Sequence, residues 1–219
     1  VSQTTGGFTE SRRDRVVMPM AETLGETDHV LGHELVHAFQ FELARSGGGA
    51  YGGGLRLPLW VIEGMAEYLS VGPVDAHTAL WMRDAVRRDD LPDLEALSTD
   101  PDYFPYRWGH AFWAYVAGRW GDPAVTALFR ASARQGLSGG IRSVLGMRPD
   151  SLVADWTDAL RSHYGPLLGD RVPAGEVADP ILTPEGGAGD LNLAPALSPD
   201  GDRAVVLSQP DLFTVDLYV

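Results

Sequence analysis

Two histidines four residues apart enclose a glutamate in the string His33-Glu34-Leu35-Val36-His37. On a helix, positions i and i+4 share a face, so both imidazoles can address one metal ion. A glutamate beside the first histidine can take a proton from water that the metal activates. Such a centre needs a third protein ligand and a fourth position left for water. With no cysteine in the chain, only His, Asp or Glu can supply it. Glu63 lies 26 residues beyond His37, on the next expected helix, among Trp60, Ile62 and Met65. That is an unusual setting for a surface carboxylate, and Gly64 beside it permits a close backbone approach. Glu67, one turn further on, can accept the second N–H of His33 and fix its tautomer. The competing readings are a pair of half-buried histidines on an amphipathic helix and, for Glu67, a solvated carboxylate.

The expected elements place these residues. The first helix begins at Thr27 or Asp28 as N-cap, carries an apolar stripe of Leu31, Leu35, Val36, Phe39 and Leu43, and stops at Gly47. Ahead of it, Gly6-Gly7 permits a turn and Arg15 to Met18 reads as a short strand ended by Pro19. That strand could pair with an extended peptide. Six of the nine residues from Ser46 to Gly54 are glycine, which makes this loop either a plain linker or a mobile lid. Further helices are expected from Pro58 to Leu69, Asp75 to Arg88, Tyr106 to Trp120, Asp122 to Gln135, Ser138 to Leu145 and Pro149 to Tyr164. Asp93 to Leu97 can form a single turn.

After Gly165-Pro166 the composition changes. Residues 169–194 are rich in Gly, Pro and Asp without helical period and read as a linker. Arg203 to Leu207 and Leu212 to Val219 then alternate as two strands around a turn. The expected organisation is a catalytic domain over 1–168, the linker, and a separate β element over 195–219 that does not support the first domain.

The net charge of −13 argues against nucleic acid as a partner. From Pro166 onward nine acidic residues face only Arg171 and Arg203, as in a solvated segment. No apolar run is long enough to span a membrane. The N-terminus lacks an initiator Met and the pattern of a signal peptide, so the chain is expected to be a piece of something longer.

His33-Glu34-x-x-His37 followed by Trp60-x-x-Glu63-Gly64-x-Ala66-Glu67-Tyr68 resembles the gluzincin zinc metallopeptidases, the peptidase MA-like group related to thermolysin and aminopeptidase N. Tyr106-Arg107-Trp108-Gly109-His110-Ala111-Phe112-Trp113, Val144-Leu145-Gly146-Met147, and Asp155-Trp156 with Tyr164 extend the resemblance over about residues 6–168. The spacing from the second histidine to Glu63 is longer than in those enzymes, and the Gly-rich loop makes up the difference. The resemblance implies an α+β, mostly helical fold with a short N-terminal β element and an active-site helix. It also implies a Zn2+ ion held by His33, His37 and Glu63, with Glu67 behind the ligands and a peptide or protein as substrate. It points towards the cell envelope or an extracytoplasmic location. Leu197-Ser198-Pro199-Asp200-Gly201 and its two strands resemble the opening of a TolB-like β-propeller blade, here incomplete.

On this reading Glu34 is the general base. Tyr106, His110 and Arg107 are the candidates to stabilise the oxyanion, with Tyr106 first, against the alternative that all three are structural. His29 reads as a partly exposed helix residue, and His77 and His163 have no constellation near them. Two rival functions are a catalytically silent peptidase-like binding module attached to a propeller and a metal hydrolase acting on something other than peptides.

Overall fold

The computed structural model describes residues 6–11, 13, 15–19, 23–46, 56–169, 171–183, 186–189, 191–209 and 216–218. The Gly-rich stretch 47–54 and Leu212 to Val215 fall outside them. The fold is mostly helical with two small antiparallel sheets. The chain divides into two compact units, residues 4–169 and residues 170–219.

In the first unit, β1 (Phe8–Glu10) and β2 (Arg15–Val17) form a hairpin with Phe8 opposite Val17. Among the described residues eight helices follow: α1 (Leu24–Ser46), α2 (Leu59–Val71), α3 (Ala76–Arg88), α4 (Ala96–Thr99), α5 (Pro105–Trp120), α6 (Asp122–Gln135), α7 (Leu137–Gly140) and α8 (Pro149–Leu168). Between α7 and α8, residues Ile141–Leu145 form a π-helical turn. The hairpin lies on α1. Thr9 reaches Glu34, and Arg45 donates to the Ser11 carbonyl at 2.8 Å.

Two corrections to the sequence reading concern α1. The helix starts at Leu24, because Thr23 and Glu26 form a reciprocal capping box: each side chain accepts the other's backbone N–H, at 3.1 and 3.2 Å. The apolar stripe is also not its buried face. Leu31, Leu35 and Phe39 are exposed, whereas His33, Glu34, His37 and Gln40 are buried. Only Val36 and Leu43 lean on the core. Further on, α8 continues through Pro166 to Leu168, which costs little because the proline sits in the last turn, where carbonyls lack helical partners in any case.

The core is aromatic and sits between α2 and α5. Trp60, Phe112, Trp113 and Trp156 are fully buried, with Leu128, Phe129, Ile141 and Leu152 around them. The indole N–H groups of Trp60 and Trp113 donate to Ser98 Oγ at 3.1 Å and the Val61 carbonyl at 2.9 Å. The pairing of α2 with α5 depends on two glycines. A Cβ on Gly64 would overlap the Gly109 backbone, and a Cβ on Gly109 would overlap the Trp60 carbonyl and lie 2.6 Å from Gly64 Cα.

In the second unit, α9 (Ala174–Val177) precedes a three-stranded antiparallel sheet of β3 (Leu191–Leu197), β4 (Ala204–Gln209) and β5 (Asp216–Tyr218). The expected linker therefore ends before Leu191, and the described residues form three strands where two were expected. The first was hidden because Ala194-Pro195 interrupts its ladder: Ala194 has φ 50° and the register shifts between Leu193 and Ala196. Proline at a bulge sacrifices no ladder hydrogen bond.

Gly64→Ala and Gly109→Ala should each destabilise the protein, by roughly 1–3 kcal/mol, the usual result of overpacking. Thermal unfolding followed by circular dichroism checks this. An unchanged midpoint in both variants would show that the helices can separate freely.

Candidate metal centre

The centre begins on α1, where His33 and His37 share a face, and is closed by α2, which brings Glu63 up to them. His33 Nε2 lies 3.1 Å from His37 Nε2 and 3.1 Å from Glu63 Oε2, and His37 Nε2 lies 3.2 Å from the same oxygen. Three donor atoms thus form a nearly equilateral triangle. Around an ion with bonds of about 2.0–2.1 Å, tetrahedral donors stand about 3.3 Å apart.

The remaining hydrogen bonds fix which imidazole nitrogens carry protons. Gln40 Nε2 donates to the Ile62 carbonyl at 2.9 Å, which turns its Oε1 towards His37 Nδ1, also at 2.9 Å. An amide oxygen only accepts, so His37 Nδ1 bears the hydrogen. His33 Nδ1 lies 3.0 Å from Glu67 Oε1 and bears one for the same reason. A metal ion that displaced any proton from Nε2 would therefore meet both Nε2 lone pairs together with the Glu63 carboxylate. Two lone pairs and an anionic oxygen at this spacing suit a cation, and the residues present fit a metal.

Glu67 is buried and accepts from three sides: His33 and His29 on Oε1, both at 3.0 Å, and Arg107 on Oε2 at 3.0 Å. Burial alone would raise its pKa. Its bonds to His29 and His33, and the charge of Arg107, hold it well below the usual carboxylate range. His29, His33 and Glu67 form a second group of metal-ligand type, but the Arg107 guanidinium on the same carboxylate opposes another cation there. Arg107 also reaches Asp75 at 3.2 Å, and Asp75 caps α3 through Thr78 N–H at 2.7 Å. The residues behind the centre thus join α2, α5 and the start of α3.

The other expected residues separate into two groups. Glu34 is buried beneath β1, its Oε2 2.7 Å from the Thr9 hydroxyl. A Cβ on Gly7 would stand 3.1 Å from Glu34 Oε1, so the hairpin packs directly on this carboxylate. Tyr106 stacks on His33, with ring centroids 5.8 Å apart and planes 19° from parallel. Burial, then the charges of Glu63, Glu67 and Glu34, push its hydroxyl far above the usual tyrosine range, which keeps it a proton donor. His110 is not brought to the three donors. Its Nε2–H donates to the Gly72 carbonyl at 2.8 Å, and its Nδ1 is buried without a partner. Burial lowers its pKa, so it stays neutral. His77 and His163 are exposed. Gln40 was absent from the sequence reading. Its position three residues after His37, on the same face, was the available signal.

Two outcomes follow. Gln40→Leu removes the group that orients His37 and should weaken divalent-metal binding roughly 10–100-fold, as read by competition with a chelating dye. Affinity within twofold of the original would mean that other contacts orient His37. The second concerns protein treated with a chelator. Burial would lower the His33 pKa, but bonds to Glu63 and Glu67 outweigh it and raise it to about 9. Burial would raise that of Glu63, yet bonds to His33 and His37 bring it to about 2. The His33 contribution is complete below its ordinary 6.5 and is lost as pH rises through 9. The Glu63 contribution is complete above its ordinary 4.5 and is lost as pH falls through 2. The chain has no lysine, so no side-chain ammonium titrates in the upper window. The thermal midpoint should fall between pH 6.5 and 9, and a flat midpoint there would contradict the pairing. No protein-family model matches the chain, and neither a curated protein nor a solved structure matches it.

Proposed function

We propose that residues 4–169 act as a zinc-dependent peptidase. The observation that carries this reading is the convergence of two imidazole Nε2 atoms and one carboxylate oxygen at 3.1–3.2 Å beside the buried Glu34. Two nitrogens and one oxygen, with a fourth position for water, are a donor set that zinc takes in hydrolytic sites. The resemblance of the same residues to gluzincin peptidases points the same way.

Zinc held by His33, His37 and Glu63 would supply Lewis acidity for a peptide carbonyl and lower the pKa of water. Glu34 takes the proton of the attacking water and hands it to the leaving amine, while Thr9 restrains its carboxylate. Tyr106, kept protonated by its surroundings, donates its hydroxyl to the oxygen on which negative charge develops. Arg107 and His110 are committed to Glu67, Asp75 and Gly72 and are not assigned that role. Among the described residues no helix is long and apolar enough to cross a membrane. The sheet of β3, β4 and β5 is read as the opening of a propeller blade.

Metal analysis together with cleavage of a mixed peptide library, with and without a chelator, tests the proposal. One zinc per chain and chelator-sensitive cleavage are expected. Glu34→Gln should keep the zinc and lose cleavage roughly 10²–10⁴-fold, and Tyr106→Phe should lower kcat by roughly 10²–10³. Stoichiometric zinc without cleavage of any peptide would favour the silent binding module. A chain that takes up no zinc would overturn the reading.

A further inference from the structure

A row of aromatic rings runs from His33 through Tyr106 to Phe104 and Trp81, and its outer two rings belong neither to the core nor to the groups assigned above. Tyr106 stacks on His33. Phe104 stacks on Tyr106 at 5.1 Å with planes 23° apart, and Trp81 of α3 lies 5.8 Å from Phe104 at 35°. Phe104 and Tyr106 are half-buried and Trp81 is 39% exposed. The buried aromatic cluster around Phe112 and Trp156 does not include them. Phe104 also occupies the N-cap position of α5 and makes no capping hydrogen bond. Asp, Asn, Ser or Thr would cap the helix there and phenylalanine does not, so local helix stability does not explain a phenylalanine.

Resting on the peptidase reading, we propose that Phe104 and Trp81 form the wall that selects the substrate, and that the favoured substrate is an extended peptide with an aromatic residue flanking the scissile bond. Because Tyr106 stacks on His33 and Phe104 on Tyr106, the outer rings lie within reach of a side chain held next to a carbonyl at the centre. Chemistry separates an aromatic guest from a cationic one. Rings stacked on one another turn their negative faces inward and leave their positive edges outward, and such edges meet the face of an incoming ring well. A lysine or arginine guest needs ring faces, and between neighbours in this row those faces are occupied.

The test uses the full chain loaded with zinc and one peptide series in which only the residues flanking the cleaved bond vary among Phe, Tyr, Trp, Leu, Ala, Lys and Glu. Phe, Tyr or Trp should exceed Ala in kcat/KM by roughly 30-fold or more, from burial of the ring and its edge-to-face contact. Phe104→Ala and Trp81→Ala, each with zinc content verified, should bring that ratio to within about threefold of unity. Peptide binding to the Glu34→Gln protein, alone and combined with either alanine variant, is measured in parallel by fluorescence anisotropy. The aromatic peptide should bind more tightly than the alanine peptide only while both rings are present. Cleavage without aromatic preference, a preference for Lys, or a preference that survives both substitutions would overturn the wall. Absence of cleavage with ring-dependent binding would sink the peptidase reading and leave the wall standing. Absence of both would remove the two together.

Discussion

The contact between Gly64 and Gly109 sets the geometry on which the rest of the first unit depends. It brings the backbones of α2 and α5 together without side chains between them. Glu63 immediately precedes one glycine and Glu67 follows within a turn. Tyr106 and Arg107 precede the other on α5. Fixing this one approach therefore fixes the ligand carboxylate, the acid behind it, the guanidinium that neutralises that acid and the ring that stacks on His33. Helix pairs with larger residues at the crossing pack at 8–10 Å, and a spacing of that kind would pull these groups out of register.

Holding so many polar groups out of water requires that each be answered. His33 is answered by Glu63 and Glu67, His37 by Gln40, Gln40 by the Ile62 carbonyl, and Glu67 by Arg107 and His29. Removing one member leaves the next with a buried, unpaired proton or charge, which is the costly outcome for such networks. The positive charge of Arg107, and in the metal-free protein that of His33, offsets carboxylates that burial alone would neutralise.

Much of this was legible in the chain. The i, i+4 spacing of His33 and His37 gave their shared face, and Glu63 and Glu67 could be placed because α2 is strongly patterned and ends at Gly72-Pro73. The gluzincin resemblance, the zinc and the peptidase activity remain the proposal that these residues support. What could not be read were relations that depend on tertiary packing. His110 sits one turn from Tyr106 on the same helix, yet its ring is turned to Gly72, and no local pattern distinguishes the two. The stripe of Leu31, Leu35 and Phe39 satisfies every rule for a buried face, yet the hairpin and α2 claim the polar side of α1 instead. In the tail, Ala194-Pro195 hid a strand because a bulge breaks the alternation by which strands are recognised.

That inversion of α1 has a consequence for how the molecule comes apart. A helix is ordinarily held by its oily side, and its attachment then barely depends on solution chemistry. Here the 23-residue α1 gives only Val36 and Leu43 to the apolar core, while four polar side chains are buried: His33 and His37 at the centre, Gln40 behind His37 and Glu34 under β1. Its grip on the protein is thus one of hydrogen bonds and ion pairs, to which the proposed metal would add its own. Conditions that disturb the centre, whether protons, competing ions or a chelator, act on the mooring of a whole helix. The interior between α2, α5, α6 and α8 is packed chiefly by apolar and aromatic side chains, so its cohesion depends far less on the state of the centre than that of α1 does. Chemistry and cohesion meet in one place, so whatever loosens the centre also loosens the attachment of α1.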